Sequence, residues 1–382
     1  MGNTAYFNNA ATSYPKPEVV YTFMDKYYRE YGMNAGRSGN ITGNRLISET
    51  RSLLLEMFHC PNKKVVLVPS ATEAINIILQ GLALSDNFNI YISPFEHNAV
   101  LRTINYLKLK NNLNTFTLPV DREALSFDLE KIKYQFSEAK PNLVVISHAS
   151  NVCGVIAPIQ DICTLSKQHD AINLIDMSQT AGLIDTDLSP GIYDFAVFAG
   201  HKTLYGPFGI AGFICNSNAK LDPLIYGGTG VDSANKDMPS TIPEKYEAGS
   251  QNILAIAGLN AALKWIKETG IQNIYQKEKS NYERLINLLS AYDNIQIIGQ
   301  EAKEQTVAVT SCIFDGYSSD NIGAILSEHG VEVRTGLHCA PSAHEFLNTF
   351  PAGTVRFSAS YFNTDNEFEI LKEALDYIEE NS

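Results

Sequence analysis

The sequence predicts an α/β protein in which a large domain built on a mainly parallel sheet is followed by a small α+β domain. Three observations predict it. Short apolar runs alternate with stretches of helical periodicity through most of the chain. The pattern changes after Ala255, where two long helical stretches lead into a second set of short strands. Two successive apolar runs also end in side chains that carry chemistry, Asp176 and Lys202, at the carboxyl edge where open sheets bind ligands.

The expected strands of the large domain are Val65–Val68, Ile90–Ile92, Leu143–Ser147, Ala171–Ile175, Phe195–Phe198 and Ile210–Cys215. Their continuous Val, Ile and Phe content suits strands buried on both faces. Ala71–Leu82, Asn98–Leu109 and Ile159–Gln168 lie between them with helical spacing. Beyond, the helical stretches Leu254–Lys267 and Ile271–Ala291 precede strands at Asn294–Ile298, Thr306–Phe314, Val331–Val333 and Val355–Ala359, with a helix at Asp320–Glu328. Thr364 and Glu367 are spaced as a capping box for a closing helix. The expected division is a large domain over 15–260 and a small one over 261–382, joined by residues 1–14.

At 382 residues the chain suits two domains. A formal charge of −13 and a pI near 5.1 argue against a nucleic-acid partner. No apolar run approaches the ~20 residues that span a bilayer, and no charged start precedes an apolar leader, so the expectation is a cytoplasmic protein. Six cysteines are scattered without C-x-x-C pairs, and five of them read as small buried hydrophobes.

Read alone, Asp176 is either a loop residue capping the next helix or a site carboxylate, and Lys202 either a solvated loop residue or a nucleophile. Together they fit pyridoxal 5′-phosphate (PLP), which needs a lysine amine for its aldehyde and an acid for its pyridine nitrogen. Val65–Ala74 reads as strand, turn and helix. Ser70 with Glu73 is there either a capping box or part of an anion-binding turn with Thr72. His97 is a helix cap or an imidazole over a cofactor ring, and Asn151 a turn residue or a ring-oxygen ligand. Arg356, inside an expected strand, needs an anion, either an internal carboxylate or that of an amino acid. Cys339 lies in a loop bounded by Gly336 and Pro341, where a thiol is accessible for nucleophilic work. His338, Cys339 and His344 lack a fourth ligand, so no metal is expected.

With Gly200-His-Lys-Thr-Leu-Tyr-Gly-Pro207, Asp176-Met-Ser-Gln179, Tyr246-Glu-Ala-Gly249 and Arg334-Thr-Gly-Leu-His-Cys-Ala340, the chain resembles the cysteine desulfurase and selenocysteine lyase branch of the class V aminotransferases, nearly end to end. The Cys339 segment is similar to that of the family's second group. The resemblance implies a PLP-dependent transferase of fold type I with a seven-stranded sheet. It implies Lys202 as the Schiff-base lysine, Asp176 at the pyridine nitrogen, Gln179 and Asn151 at the ring oxygen, and His97 on the ring. Thr72, with Ala71 in the same turn, and His201 fall at the phosphate. Ser250 matches a residue that reaches the neighbouring subunit's phosphate, implying a homodimer. Arg356, with Arg334 and Asn151, matches the substrate contacts, and Cys339 the sulfur acceptor.

The implied reaction takes L-cysteine to L-alanine, leaves a persulfide on Cys339 and passes sulfur to an acceptor protein. L-selenocysteine is the alternative substrate, and another class V aminotransferase or β-elimination reaction the alternative chemistry. A non-catalytic scaffold of the same fold is the rival from outside enzymology. The chain departs from the family pattern at Ala199 and Ala71, where relatives carry hydroxyl residues, at the additional Thr203, and at Leu337 in place of a frequent histidine. No G-x-G-x-x-G follows the first strand, which argues against a nicotinamide enzyme.

Overall fold

A computed structural model of the chain describes residues 4–30, 41–231, 234–300 and 306–381. Its main sheet has seven strands in the order Lys64–Val68, Ala211–Cys215, Phe195–Ala199, Ile172–Asp176, Leu143–Ser147, Phe88–Ile92 and Leu113–Thr117. Only Ala211–Cys215 runs antiparallel to its neighbours, and the remaining pairs are parallel. Alternate residues of each strand enter different apolar clusters. Val144 and Ile146 face one, Leu143 and Val145 the other. Burial on both faces therefore explains the continuous apolar runs. The expectation of six runs missed the edge strand Leu113–Thr117, in which only Leu113 is buried and the other positions are polar or aromatic.

The expected helices form as Ala71–Gly81, Asn98–Lys108 and Ile159–Lys167. Three others, Glu18–Glu30, Ile41–Met57 and Leu129–Glu138, lack a reading in the sequence. Glu18–Glu30 buries only Val20 and Tyr27 while Val19, Tyr21 and Tyr28 stay exposed, so its apolar residues do not mark a single face. Helix Ile253–Thr269 runs continuously through position 260, where a domain boundary was expected, and Ile271–Leu289 follows it.

A second, antiparallel sheet takes the order Arg334–Gly336, Thr354–Ser358, Val309–Phe314 and Ile295–Ile297. The opening strand Ala5–Tyr6 pairs in parallel with Val331–Glu332. Ala5 and Phe7 share an apolar cluster with Leu285, Val331, Phe357 and Leu371. The closing helix Asp365–Glu380 has the expected capping box, with Thr364 and Glu367 each accepting from the other's backbone N–H. Residues 1–3 of the expected small domain lie outside the described residues. Among the described residues no helix is long and apolar enough to cross a membrane.

Candidate active site

The carboxyl ends of the parallel strands open onto a cavity of about 230 Å³. Asp176 ends one strand, and Lys202 follows the next by three residues. Asn151, Ala71, Thr72 and His201 also line the cavity, as do His97, Gln179, Arg334 and Arg356. Two expected site residues lie elsewhere. Ser250 is exposed in a separate pocket with Arg51, Glu247 and Gly228, away from the cavity of its own chain. Cys339 lines an adjoining groove that shares Thr72, His97 and Ala99 with the cavity wall.

Lys202 has a pKa lowered to about 8, first by burial and then by the charges of Arg356 and Arg334, with Asp176 pulling it back up. Its carbonyl accepts from the Ser13 hydroxyl at 2.8 Å and the Tyr205 N–H at 2.8 Å, which fixes the backbone beneath the side chain. Lys16 completes this lock, donating to the His201 carbonyl at 2.7 Å and to the Ser13 hydroxyl at 2.8 Å. The Asp176 carboxylate accepts the Ser178 N–H at 2.9 Å through one oxygen, but a turn and not a helix follows, so the reading of Asp176 as a helix cap does not hold.

His97 holds the helix-cap place its sequence allowed and also faces the cavity. It caps helix Asn98–Lys108, its Nδ1 accepting the Ala99 N–H at 3.0 Å, and it lines the cavity. Burial lowers its pKa to about 4, and the neighbouring Lys202 charge adds to the effect. The ring is therefore neutral near pH 7, and with Nδ1 accepting, its proton sits on Nε2.

The turn that opens helix Ala71–Gly81 also combines a cap with a place in the cavity wall. Ser70 caps helix Ala71–Gly81 by accepting the Glu73 N–H at 3.1 Å. The N–H groups of Ala71 and Thr72, in the first turn, have no partner inside the helix and belong to residues of the cavity wall. Gln179 and Asn151 each commit one amide donation within the chain, to the Ala10 carbonyl at 3.0 Å and the His338 carbonyl at 2.8 Å. Their amide oxygens take no hydrogen bond from the described residues. Ser150, not Asn151, holds the 150–153 turn, accepting from the N–H groups of Val152 and Cys153.

Arg356 is the largest fully buried side chain among the described residues. It donates to the Asn151 carbonyl at 2.9 Å and the Asn8 side chain at 3.3 Å, and its Nε has no partner. The Thr354–Ser358 and Arg334–Gly336 strands set Arg334 directly opposite Arg356. Like charges in register repel, and no carboxylate among the described residues pairs with either one. Burial, with Arg334 beside it, lowers the Arg356 pKa to about 9. The internal acid that the sequence left open is absent from this pair's surroundings among the described residues. An anion entering the cavity would meet two unneutralised guanidinium groups.

Arg334 also donates to the Cys339 sulfur at 2.9 Å. Cys339 is half-buried, whereas the other five cysteines are buried. Burial raises those thiols, Cys60 to about 11 and Cys215 to about 12. His338 and Cys339 both adopt left-handed backbone, with φ of 49° and 59°. Such a pair of non-glycine residues costs about 1–3 kcal/mol each and persists where surrounding bonds hold it. Here the Cys339 carbonyl accepts the Asn98 N–H at 2.7 Å, and His338 bonds the Thr354 hydroxyl at 2.8 Å.

The sequence reading overlooked Glu96, Lys16 and Asn8, whose roles depend on partners far away in the chain. Only Glu96 left a local signal, its place immediately before His97.

PLP suits these residues. A lysine with a lowered pKa is available for its aldehyde, and a strand-end carboxylate for its pyridine nitrogen. A helix N-terminus and the amide oxygens and donors described above offer sites for its phosphate and ring substituents. The Aminotransferase class-V family model matches residues 5–371. A probable cysteine desulfurase of Methanothermobacter thermautotrophicus is 28% identical over 97% of this chain and 94% of the relative. One from Xylella fastidiosa is 30% identical over 97% and 89%. The structure of a cysteine desulfurase from Thermococcus onnurineus superposes with a TM-score of 0.91 at 26% identity, covering 99% of this chain and 95% of that one. With the strand-end lysine and aspartate in one cavity and a match spanning nearly its whole length, the chain belongs to the class-V aminotransferases, enzymes that work with PLP.

Proposed function

We propose that the enzyme is a cysteine desulfurase that converts L-cysteine to L-alanine and carries the sulfur away on Cys339. The observation that carries this reading is the accessible Cys339 thiol, held by Arg334 at the rim of the cavity. An aminotransferase needs no thiol there. The names of the relatives point the same way.

In this reading PLP bound to Lys202 supplies the electron sink for chemistry at the substrate Cα. Thr72, Ala71 and His201 hold its phosphate, Asp176 its pyridine nitrogen, and Gln179 and Asn151 its ring oxygen. His97 covers the ring face. Arg356 takes the substrate carboxylate, with Arg334 and Asn151 beside it. Lys202 removes the Cα proton. The Cys339 thiolate attacks the substrate sulfur; an S–S bond forms, the Cβ–S bond breaks, and its electron pair stays with the carbon. That carbon takes up a proton, Lys202 returns one to Cα, and the product leaves as alanine, while Cys339 keeps the sulfur as a persulfide. A thiol on an acceptor protein then removes the outer sulfur and restores the Cys339 thiolate.

Ser250 completes the partner subunit's phosphate site, so the working enzyme is a homodimer. The domains divide as 15–260 and 261–382 with 1–14, a reading supported by the apolar cluster that joins Ala5 and Phe7 to the C-terminal helix. The place of action is the cytoplasm.

Purified enzyme given L-cysteine and a thiol reductant should release alanine and sulfide in equal amounts and sediment as a dimer. Pyruvate or a keto acid without sulfide would overturn the desulfurase reading, and an active monomer the dimer.

A second expected result concerns Arg356. Changing Arg356→Gln removes a charge-assisted bond, which is typically about 1.5–3 kcal/mol. The KM for L-cysteine should therefore rise roughly 10- to 100-fold, while the cofactor spectrum without substrate stays unchanged. An unchanged KM would show that the carboxylate binds elsewhere.

A further inference from the structure

We infer that Glu96 is a positioning residue, fastening the turn that delivers His97 to the strand end that lies beside Asp176. The carboxyl group is fully buried, and three donors converge on it. The Ser93 hydroxyl and the Ser147 N–H bind one oxygen, the latter at 2.7 Å, and the Ser147 hydroxyl binds the other at 2.9 Å. Ser147 pairs in register with Asp176 and lines the cavity. His97 is the next residue, and its backbone begins helix Asn98–Lys108. One side chain thus ties a strand of the sheet to the turn that carries the imidazole.

Stability alone does not account for an acid here. A buried carboxyl without a cation is costly, and no lysine or arginine among the described residues pairs with it. Burial lifts its pKa to about 7; the hydrogen bonds from Ser93 and Ser147 work against that rise, and the charge of Asp176 adds to it. A carboxylate has two oxygens that accept from strand and turn at once, whereas an amide has one. Side chains that hold a reacting group within ~0.5 Å need such support, and small displacements cost rate more than binding.

The inference rests on the cofactor reading above, and its test separates the two. Glu96→Ala and Glu96→Gln holoenzymes are compared with wild type for the absorption maximum of bound PLP without substrate, for kcat and KM with L-cysteine, and for thermal unfolding. Glu96→Ala should move the absorption band and lower kcat roughly 10- to 100-fold, with KM within about 2-fold. Glu96→Gln, of the same shape, should recover part of both. If Glu96→Ala does not fold, Ser147→Ala removes one donor and should give a smaller shift of the same sign. An unchanged band and kcat in the first variant that folds would overturn the inference. So would a kcat loss matched by the unfolded fraction. A wild-type enzyme inactive on L-cysteine would sink the desulfurase reading instead, because the band shift is read without turnover.

Discussion

Changing Lys202→Ala should leave a folded protein that takes up PLP only reversibly and turns L-cysteine over roughly 100- to 10,000-fold more slowly. The wild-type enzyme should be yellow, and borohydride should fix its cofactor to Lys202 alone. The variant's cofactor should wash out after the same treatment. Lys202 carries both expectations because it lies in the cavity with Asp176, and its amine has a pKa of about 8, lowered by burial. A neutral amine is the form that attacks an aldehyde. Cofactor uptake by stripped wild-type protein should therefore accelerate as pH rises through about 8. The same shift opposes folding: the penalty is fully present below pH 8 and fades as pH climbs toward the unfolded value of 10.5. The alanine variant should accordingly be no less stable than wild type at pH 7. Borohydride labelling of another lysine, or full turnover by Lys202→Ala, would remove this residue from the mechanism.

The Lys202 and Asp176 placements were legible because their strands are buried on both faces and end abruptly. A continuous apolar run followed by a polar reactive residue marks a sheet edge without knowledge of the neighbours. The edge strand Leu113–Thr117 gave no such run, because only Leu113 is buried and Asn114 and Thr117, on opposite faces, are exposed. Strand Arg334–Gly336 has no apolar residue at all, so its pairing opposite Arg356 could not be read from either segment. That register sets two arginines, neither paired with a carboxylate among the described residues, side by side in the cavity wall. Glu96 was hidden for a related reason. Its three partners come from Ser93 and Ser147, and the second lies 51 residues away. Local pattern identifies elements and reactive residue types, whereas long-range pairing determines which of them share a charge or a proton.

Changing Cys339→Ala should separate cofactor chemistry from sulfur removal. The thiol has no part in holding PLP, so the variant should bind cofactor and L-cysteine with a wild-type spectrum, since Lys202, Asp176 and Arg356 remain in place. Alanine release should nevertheless fall by ~100-fold or more, because no nucleophile remains to accept the substrate sulfur. The structure makes Cys339 the candidate on two grounds. Among the six cysteines it alone escapes full burial, and the Arg334 guanidinium contacts its sulfur. L-selenocysteine supplies the control. Its weaker carbon–chalcogen bond lets selenium depart with less help, so Cys339→Ala should keep more of its activity on L-selenocysteine than on L-cysteine. Mass spectrometry of wild-type enzyme after one turnover without reductant should find one added sulfur on the peptide containing Cys339. If Cys339→Ala desulfurates L-cysteine at the wild-type rate, or the added sulfur lies on another cysteine, the persulfide route through this loop is wrong and the sulfur leaves by elimination instead.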